Sequence, residues 1–401
     1  MKIRQATLED FERINELNGI SYGFDAVGAK ERQFKRFEMT FKENYCIEVD
    51  GIIVANSRYI QFEQNIRGKL VKMGGIAMVA SDPQYRRRGF VRELMIYLLK
   101  KMNEDKCLVS TLYPFRDTFY TAFGYVNGST DLFLKVDPRF FNRWKKLPEG
   151  YKVERLSSID GFKYYRSIHD KAMNNIHGGV KRSEDRWKEY DNPGPISYAV
   201  AFGPSGEAEG VIKYYSKGYG SGFSWTEEGK MDILDIYFLT PKARHALYNY
   251  LFLFTDQVVK VKYPLTPGES ELYPWMQGYC MVDVDHSNIW MGRIIDIQNT
   301  IQNLPASKEG ILRIKISDPD FIENNQTFEI SSQNNKLKVK ILGEKEADIE
   351  MTIQGLTSLV YGFLPSYDLE PFEWIKGATE KHLSLLDNWF PYKLPKLTEG
   401  F

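Results

Sequence analysis

Residues 74–102 read GGIAMVASDPQYRRRGFVRELMIYLLKKM, and this stretch decides how the chain begins to fold. Residues 74–80 are small and apolar, which favours a buried strand, and a Ser-Asp-Pro sequence ends it. From Phe90 onward, apolar residues recur at the i, i+3, i+4, i+7 spacing of one helical face. The stretch therefore predicts a strand, a basic turn and an amphipathic helix.

The basic turn, residues 86–89 (RRRG), lies where the first backbone N–H groups of the helix have no partner inside the helix. The helix dipole adds partial positive charge there, so the turn predicts an anion site. It is neither a P-loop nor a dinucleotide-binding fingerprint, because the required glycines and the Lys-Ser/Thr pair are missing. The alternative is that these basic residues at the start of the helix are only solvated and bind no anion.

The composition sets broad limits on the class of protein. A chain of 401 residues predicts two to three domains. Its 53 basic and 53 acidic side chains cancel, so no net field favours nucleic acid or anionic membranes as partners. Three cysteines fit a reducing compartment. Because we find neither a signal peptide nor an apolar run long enough to span a membrane, we expect a cytoplasmic protein.

Two other kinds of chemistry are not expected. The five histidines show no ligand spacing, so we predict no metal site. Cys107 falls within an apolar strand, which favours a core position over a nucleophile.

The first third of the chain mixes helices with strands. A capping box at residues 7–10 introduces a helix, and Asp50-Gly51 joins two strands into a hairpin. An antiparallel start followed by a strand-helix-strand unit predicts an α+β layer fold. The predicted strands are residues 2–5, 45–49, 52–59, 69–79, 107–112 and 131–136, and a further helix is predicted at residues 31–41.

After a linker at residues 145–150 the same order returns. Pro241 suits the first position of a helix, but residues 240–243 (TPKA) stand where the first third has its Arg-rich turn. A second anion site is therefore not expected. The predicted elements are a strand at 152–156, helices at 161–173, 182–189 and 241–258, a break at 192–195, and strands at 197–202, 210–215 and 231–238.

The last third changes character. Its strands alternate apolar and polar side chains, as in an antiparallel sheet with one face in water. Strands are predicted at residues 290–297, 310–317, 327–331, 336–341 and 347–352, and helices at 299–304, 353–362 and 380–389.

Three motifs carry a resemblance to a known family. Residues 86–91 (RRRGFV) resemble the pyrophosphate loop R/Q-x-x-G-x-G/A of the GNAT acyltransferase superfamily, with Val91 in place of a small last residue. Together with residues 112–125 (LYPFRDTFYTAFGY) and the terminal residues 398–401 (TEGF), they resemble the enhanced intracellular survival (Eis) family of GNAT acetyltransferases.

The resemblance implies an α+β protein of three domains. Residues 1–140 would form the catalytic GNAT domain, and residues 141–289 a second, degenerate GNAT-like domain. Residues 290–401 would form a sterol-carrier-protein-like domain whose C-terminal tail returns to the active site. Whether that domain keeps a lipid cavity or has a filled core is left open.

The resemblance also implies acetyl-coenzyme A as cofactor and roles for individual residues. Tyr120, in the Y-x-x-F-G-Y motif, would be the general acid, and the terminal carboxylate of Phe401 the general base. The edge of the preceding strand would pair with the pantetheine arm, and the basic turn would hold the pyrophosphate. The predicted cofactor contacts are Val79, Ala80, Ser81, Arg87, Arg88, Gly89, Phe90, Val91, Arg92, Phe115 and Arg116.

Elementary acid–base chemistry suits these roles unequally. A tyrosine hydroxyl, with a pKa of about 10, stays protonated and can donate to a thiolate whose thiol has a pKa of about 8.5. A terminal carboxylate, with a pKa of about 3.5, is a weak base unless it is desolvated or acts through water. The alternatives are that Tyr120 is an ordinary half-buried aromatic residue and that the end of the chain at Phe401 is frayed. The apolar residues 389–392 and Phe401 favour a docked end.

The acceptor is implied only as a class. The resemblance points to primary amines, such as an aminoglycoside, another polyamine or a lysine side chain, and to a homo-oligomer, for instance a hexamer. Phe24, Asp25 and Phe34 are candidate acceptor residues, with ordinary packing as the alternative, and Glu399 would attract a cationic amine or simply be solvated. The competing hypothesis is a sensor or carrier that binds acetyl-coenzyme A or lipid without turnover.

Overall fold

The computed structural model describes residues 1–190, 194–217, 229–265 and 282–401. They form two compact units: the first comprises Met1–Gly128, Trp290–Lys393 and Leu397–Phe401, and the second Ser129–Ile289 and Leu394–Lys396. Cys280 and part of the predicted break at 192–195 lie outside the described residues. Within the described ranges, no helix has both the length and the apolar character that crossing a bilayer requires.

The strand-turn-helix prediction for residues 74–102 is confirmed. The N-terminal part of the first unit is a sheet in which β1 to β4 are antiparallel neighbours and β5 lies parallel to β4, with α3 as the crossover between them. Its elements are β1 (Lys2–Gln5), α1 (Phe11–Tyr22), α2 (Lys30–Thr40), β2 (Asn44–Val49), β3 (Ile52–Ile66), β4 (Lys69–Ser81), α3 (Phe90–Glu104), β5 (Val109–Leu112) and α4 (Asp117–Thr121).

The predicted apolar face of α3 covers this sheet. Leu94, Leu98, Leu99 and Met102 are fully buried and pack in one cluster with residues of the sheet. This burial holds α3, and the basic turn that precedes it, in a fixed position against β4.

Strands β4 and β5 separate before β4 ends. Their last paired residues are Ile76 and Leu112, whereas β4 stays paired with β3 as far as Ser81. After Leu112 the chain leaves the sheet at Tyr113. Among the described residues, the end of β4 therefore has no neighbouring strand on that edge, and the gap between β4 and β5 is a cleft within the first unit.

The second unit repeats the same order of elements. Strands β10 and β11 are antiparallel, and β11 and β12 are parallel with α7 as their crossover. Thr240 caps α7, and its side chain accepts a hydrogen bond of 3.1 Å from the Ala243 N–H. The elements are β6 (Val126–Val136, in this unit from Ser129 on), β7 (Lys152–Leu156), α5 (Ser158–Ala172), β8 (Val180–Lys181), α6 (Glu184–Tyr190), β9 (Ser197–Phe202), β10 (Ala208–Lys217), β11 (Lys230–Phe238), α7 (Pro241–Phe252), β12 (Lys260–Leu265) and β13 (Asp283–Ile294, in this unit as far as Ile289).

The remainder of the first unit is a five-stranded sheet in the order β16-β15-β14-β17-β18. Its strands alternate buried and exposed residues, which confirms the predicted face in water. The sheet is mixed rather than antiparallel as predicted, because β14 and β17 are parallel neighbours. The elements are α8 (Ile297–Ile301), β14 (Gly310–Ser317), β15 (Thr327–Gln333), β16 (Lys336–Gly343), β17 (Ile349–Thr352), α9 (Ile353–Tyr361), β18 (Ile375–Lys376) and α10 (Glu380–Trp389).

Several predicted boundaries are wrong: β3 extends to Ile66 rather than residue 59, β6 begins at Val126 rather than 131, and β13 begins at Asp283 rather than 290. For two further boundaries, side-chain hydrogen bonds explain the difference. The helix predicted to reach residue 258 ends at Phe252, whose carbonyl accepts the Thr255 hydroxyl at 2.5 Å. The strand predicted to reach residue 297 ends at Ile294, because the Asp296 carboxylate accepts the Asn299 N–H at 2.9 Å and starts α8. Such local bonds compete with the regular backbone pattern.

The capping box before α1 includes an ion pair that makes stability depend on pH. Two Asp10 oxygens accept hydrogen bonds from Arg4 at 2.7 and 2.9 Å, and this pairing lowers the Asp10 pKa to about 2. Because the pKa is lowered in the folded state, the stabilisation is present above the ordinary carboxyl pKa and is lost as the pH falls toward 2.

We therefore expect Asp10→Asn to destabilise the first unit at pH 7 by about 1 kcal/mol, allowing for solvent screening. Thermal unfolding at pH 7, 5 and 3.5 measures the difference, which should narrow below pH 4. Asp185→Asn is the control, because the Asp185–Lys188 pair is fully solvated and its loss should leave the unfolding temperature unchanged. A difference that stays constant with pH would contradict the assignment.

Candidate active site

The basic turn is shaped by two left-handed backbone positions. Arg87 has φ 61° and Gly89 has φ 86°. The Glu93 N–H makes the first bond of α3, to the Gly89 carbonyl at 3.0 Å, so the N–H groups from Gly89 to Arg92 precede the helical hydrogen-bond pattern. A Cβ at Gly89 would meet no atom within 4 Å. The backbone donors of the turn are therefore open to an anion.

The arginine side chains of this region point in different directions. The Arg88 guanidinium lies over the Tyr85 ring at 5.2 Å. The Arg92 guanidinium lies over the Phe123 ring at 5.2 Å and 3.4 Å from Asp320, so protein groups hold it. Arg87 is exposed. Of these two predicted cofactor contacts, Arg92 could therefore contribute its backbone N–H group, whereas Arg87 could contribute the positive charge of its exposed side chain.

Strand β4 contains a bulge at the predicted pantetheine contact. Asn56 is opposite Ala80 and Arg58 is opposite Ala77, so Met78 and Val79 together face only Ser57. Met78 has φ 50°, a left-handed conformation for a non-glycine residue. Bulges of this kind redirect backbone groups beside active sites. No pattern in the sequence indicated it.

Tyr120 is buried in an aromatic cluster, with 2% of its surface exposed. Its ring contacts those of Phe115 and Phe119, at centroid distances of 5.4 and 5.1 Å. Burial, and then the neighbouring hydroxyls of Tyr22 and Tyr125, raise the pKa of Tyr120. In the described part of the chain its hydroxyl has no hydrogen-bond partner. This hydroxyl is protonated at neutral pH and available to donate.

The two predicted contacts before α4 are at the surface. Phe115 is 65% exposed and covers one edge of the Tyr120 ring, and Arg116 is the residue that precedes the helix. Phe115 thus shields the tyrosine from solvent, whereas the exposed Arg116 side chain makes no contact with it that the structure records.

The C-terminal tail docks inside the first unit. Leu397 and Glu399 are buried, and the Glu399 carbonyl accepts the Tyr113 hydroxyl at 3.3 Å. The Phe401 ring lies 5.5 Å from the Phe62 ring and 5.9 Å from the Tyr113 ring. The expected docked end is therefore what the structure contains, and Glu399 is not simply solvated.

Gly75 makes room for the terminal ring. A Cβ on Gly75 would come within 3.0 Å of Phe62 and 3.1 Å of Phe401, and Gly75 lies one residue before the last β4–β5 pair. The terminal residue is thus positioned at the mouth of the cleft. A pair of glycines inside a strand, as at Gly74 and Gly75, is the sequence signal that indicates such a close approach.

We expect Gly75→Val to displace Phe401 and to speed its release by a carboxypeptidase about tenfold, since about 1–2 kcal/mol of apolar burial is lost. Timed digestion followed by mass spectrometry measures the rate. Gly74→Val is the matched control, because a side chain there would meet Met102 instead. Equal release from both variants would show that Gly75 does not hold the tail.

The predicted acceptor residues are not brought together. Phe24 lines a cavity of ≈ 50 Å³ with Met78 and Arg58, whereas Phe34 lines a separate open groove of ≈ 710 Å³. Asp25 accepts hydrogen bonds from the Val27 and Gly28 N–H groups at 3.0 and 2.9 Å. Its carboxylate thus shapes the loop after α1. Phe24 is the residue of the three that lies nearest the bulge.

Among the described residues, no group of three His, Cys, Asp or Glu side chains comes together in a geometry that would hold a metal ion. Cys46 and Cys107 are buried free thiols, and burial raises the pKa of both, to about 11 for Cys46. Neither thiol is activated as a nucleophile.

Comparison with known protein families assigns three regions of the chain to known domains. The sequence profile of an acetyltransferase (GNAT) domain matches residues 2–127, and a second GNAT profile matches residues 178–293. Together these matches cover more than half of the chain. The chain belongs to the GNAT acetyltransferase superfamily. A sterol carrier protein domain profile matches residues 297–397, so the predicted fold class is confirmed.

The Eis resemblance is confirmed as well. N-acetyltransferase Eis from Mycobacterium tuberculosis and from Mycobacterium bovis is 23% identical over 172 residues. The match spans 42% of this GNAT protein and 41% of those relatives.

Solved structures share the whole fold. A GCN5-related N-acetyltransferase from Anabaena variabilis superposes with a TM-score of 0.85 at 18% identity, and Eis1 from Mycobacterium abscessus with a TM-score of 0.81 at 17% identity. Both comparisons cover 100% of each chain.

Acetyl-coenzyme A is the acyl donor of GNAT acetyltransferases, as predicted. The residues present fit it: the open backbone donors at Gly89 suit a pyrophosphate, and the unpaired edge of β4 after Ile76 suits an extended arm with amide groups. The cleft between β4 and β5 leaves room for that arm.

Proposed function

We propose that the chain is an acetyl-coenzyme A dependent N-acetyltransferase that transfers acetyl to a primary amine by direct attack on the thioester. The observation that carries the proposal is the position of the C-terminus. Phe401 packs against Gly75 at the point where β4 and β5 separate, which brings the last residue of this sequence to the cleft.

When bound, acetyl-coenzyme A supplies the activated acetyl group. The turn around Gly89 binds its pyrophosphate, and the bulged edge of β4 at Val79 orients the arm. The Phe401 carboxylate accepts the proton that the amine loses, directly or through a water molecule. Tyr120 donates to the departing thiolate. Positioning supplies much of the rate.

The apolar surroundings of Tyr120 bear on this acid role. Burial raises the tyrosine pKa, which by itself makes it a weaker acid. The same surroundings raise the pKa of a thiol held beside it, because both anions lose solvation. Because burial raises both pKa values, it does not by itself reverse their order, and Tyr120 assists the departing thiolate as a hydrogen-bond donor held beside it.

The acceptor is proposed as a primary amine on a flexible arm, as in an aminoglycoside, another polyamine or a lysine side chain. Two acidic groups near the cleft, the terminal carboxylate and the buried Glu399, favour a cation. The cavity beside Phe24, at ≈ 50 Å³, has room for about two water molecules rather than a sugar ring. A simple diamine is therefore an essential probe. The cytoplasm and a homo-oligomer remain predictions.

The test is release of free thiol from acetyl-coenzyme A, followed with a thiol reagent, in the presence of an aminoglycoside, a simple diamine or a lysine-containing peptide. Mass spectrometry of the acceptor should show the added acetyl group. A protein that binds acetyl-coenzyme A but releases no thiol with any of these amines would instead support the sensor hypothesis.

A further inference from the structure

The bulge in β4 leaves three successive backbone carbonyls that are each satisfied by a side chain. Ser57 Oγ donates to the Ala77 carbonyl at 3.2 Å, and Asn56 Nδ2 donates to the Met78 carbonyl at 3.1 Å. The Tyr22 hydroxyl donates to the Val79 carbonyl at 3.2 Å. Each of these carbonyls thus accepts a hydrogen bond from a side chain.

These three donors differ in how easily they can be replaced. Ser57 and Asn56 lie on the neighbouring strand β3 and have no exposed surface. Tyr22 lies in the last turn of α1 and is 50% exposed. Gly23 follows it at φ 71°, and a Cβ there would meet nothing within 4 Å. With half of its surface in solvent, the Tyr22 side chain can leave β4 more easily than the two buried donors can.

The carbonyl that Tyr22 occupies belongs to the strand edge proposed for the pantetheine arm. A pantetheine arm carries two amide N–H groups, and an unpaired strand carbonyl is the partner that an extended amide chain takes. A carbonyl oxygen has two lone pairs, and the Tyr22 hydroxyl already occupies one of them at 3.2 Å, so an amide of the arm must share the Val79 oxygen with Tyr22 or displace it. The free protein thus holds a protein hydroxyl where the arm needs an acceptor.

We propose that Tyr22 is a placeholder for the pantetheine amide on the Val79 carbonyl, and that binding of the acyl donor displaces it. The inference rests on the proposed function, because it concerns the same cofactor cleft. Tyr22 is a positioning residue, and it keeps the bulged carbonyl satisfied while the cleft is empty.

The surroundings of Tyr22 support an exchange rather than a fixed structural bond. Burial of its hydroxyl raises the Tyr22 pKa to about 12, so it remains a donor at neutral pH. The hydroxyl is also close enough to Tyr120 to raise the pKa of that residue. Phe24, two residues on, lines the cavity beside the bulge.

Tyr22→Phe tests the proposal by calorimetric titration with coenzyme A. Wild type must give up one hydrogen bond on binding, so the variant should bind coenzyme A about two- to tenfold more tightly. Adenosine 3′,5′-bisphosphate lacks the pantetheine arm and should bind both proteins equally. Tyr367→Phe is the matched control, because Tyr367 is another tyrosine with most of its surface exposed, at 64%.

The outcomes separate two failures. If wild type binds no coenzyme A, the proposed function is overturned, and this inference with it. If wild type binds but Tyr22→Phe binds equally or more weakly, the hydroxyl is a structural bond or a direct donor to the cofactor, and the placeholder is overturned. A gain seen equally with the bisphosphate would also overturn it, because the effect would not involve the arm.

Discussion

Tyr120→Phe is expected to lower kcat about 10²–10⁴-fold, the range that general acid catalysis supplies. The variant keeps the ring, and with it the aromatic contacts to Phe115 and Phe119. It removes only the hydroxyl, which has no hydrogen-bond partner among the described residues, so the fold should lose little stability. Steady-state thiol release gives kcat, and calorimetry should show an unchanged Kd for coenzyme A.

A matched control lies in the same motif. Tyr125 is fully buried, and its hydroxyl is 2.6 Å from the Ser110 hydroxyl. Tyr125→Phe should cost about 1 kcal/mol of stability through that lost bond and change kcat far less. If both variants lose activity equally, or if Tyr120→Phe keeps most of its kcat, Tyr120 is not the acid and the thiolate leaves with help from another donor.

Much of this organisation could be predicted because it depends on residues that are close in sequence. The apolar spacing from Leu94 to Met102, the capping box at Asp10 and the alternation in β14 each fix one element locally. The anion turn was predictable for the same reason, since Gly89 adjoins the helix that it begins. Such local patterns do not depend on contacts with distant parts of the chain, so they can be recognised in the sequence alone.

The features that make the site specific depend on contacts between distant residues. The bulge at Met78 is supported by side chains of β3, and Tyr22 reaches Val79 from a helix 57 positions earlier. Asp25 was predicted as a candidate acceptor residue beside the first helix, but its carboxylate accepts hydrogen bonds from the loop backbone. No periodicity encodes which carbonyl a distant hydroxyl satisfies, so three-dimensional packing had to supply this information.

The docked chain end gives the second large effect. We expect a Gly-Ser-Gly extension after Phe401 to lower kcat about 10²–10⁴-fold, because it replaces the terminal carboxylate by a neutral peptide bond at that position. Thiol release measures the loss. The same extension placed before Met1, which is 68% exposed, is the control and should leave kcat unchanged.

Extension changes both charge and bulk, so a semisynthetic protein with a C-terminal carboxamide separates the two. The amide keeps the length and the Phe401 ring, and with them the contacts to Phe62 and Tyr113. If the carboxylate is the base, the amide should be as inactive as the extended chain while coenzyme A binding is retained. Activity in the amide but not in the extended chain would mean that the tail only fills the cleft. The proton would then have to leave the amine by another route, with the buried Glu399 as the next carboxylate to replace.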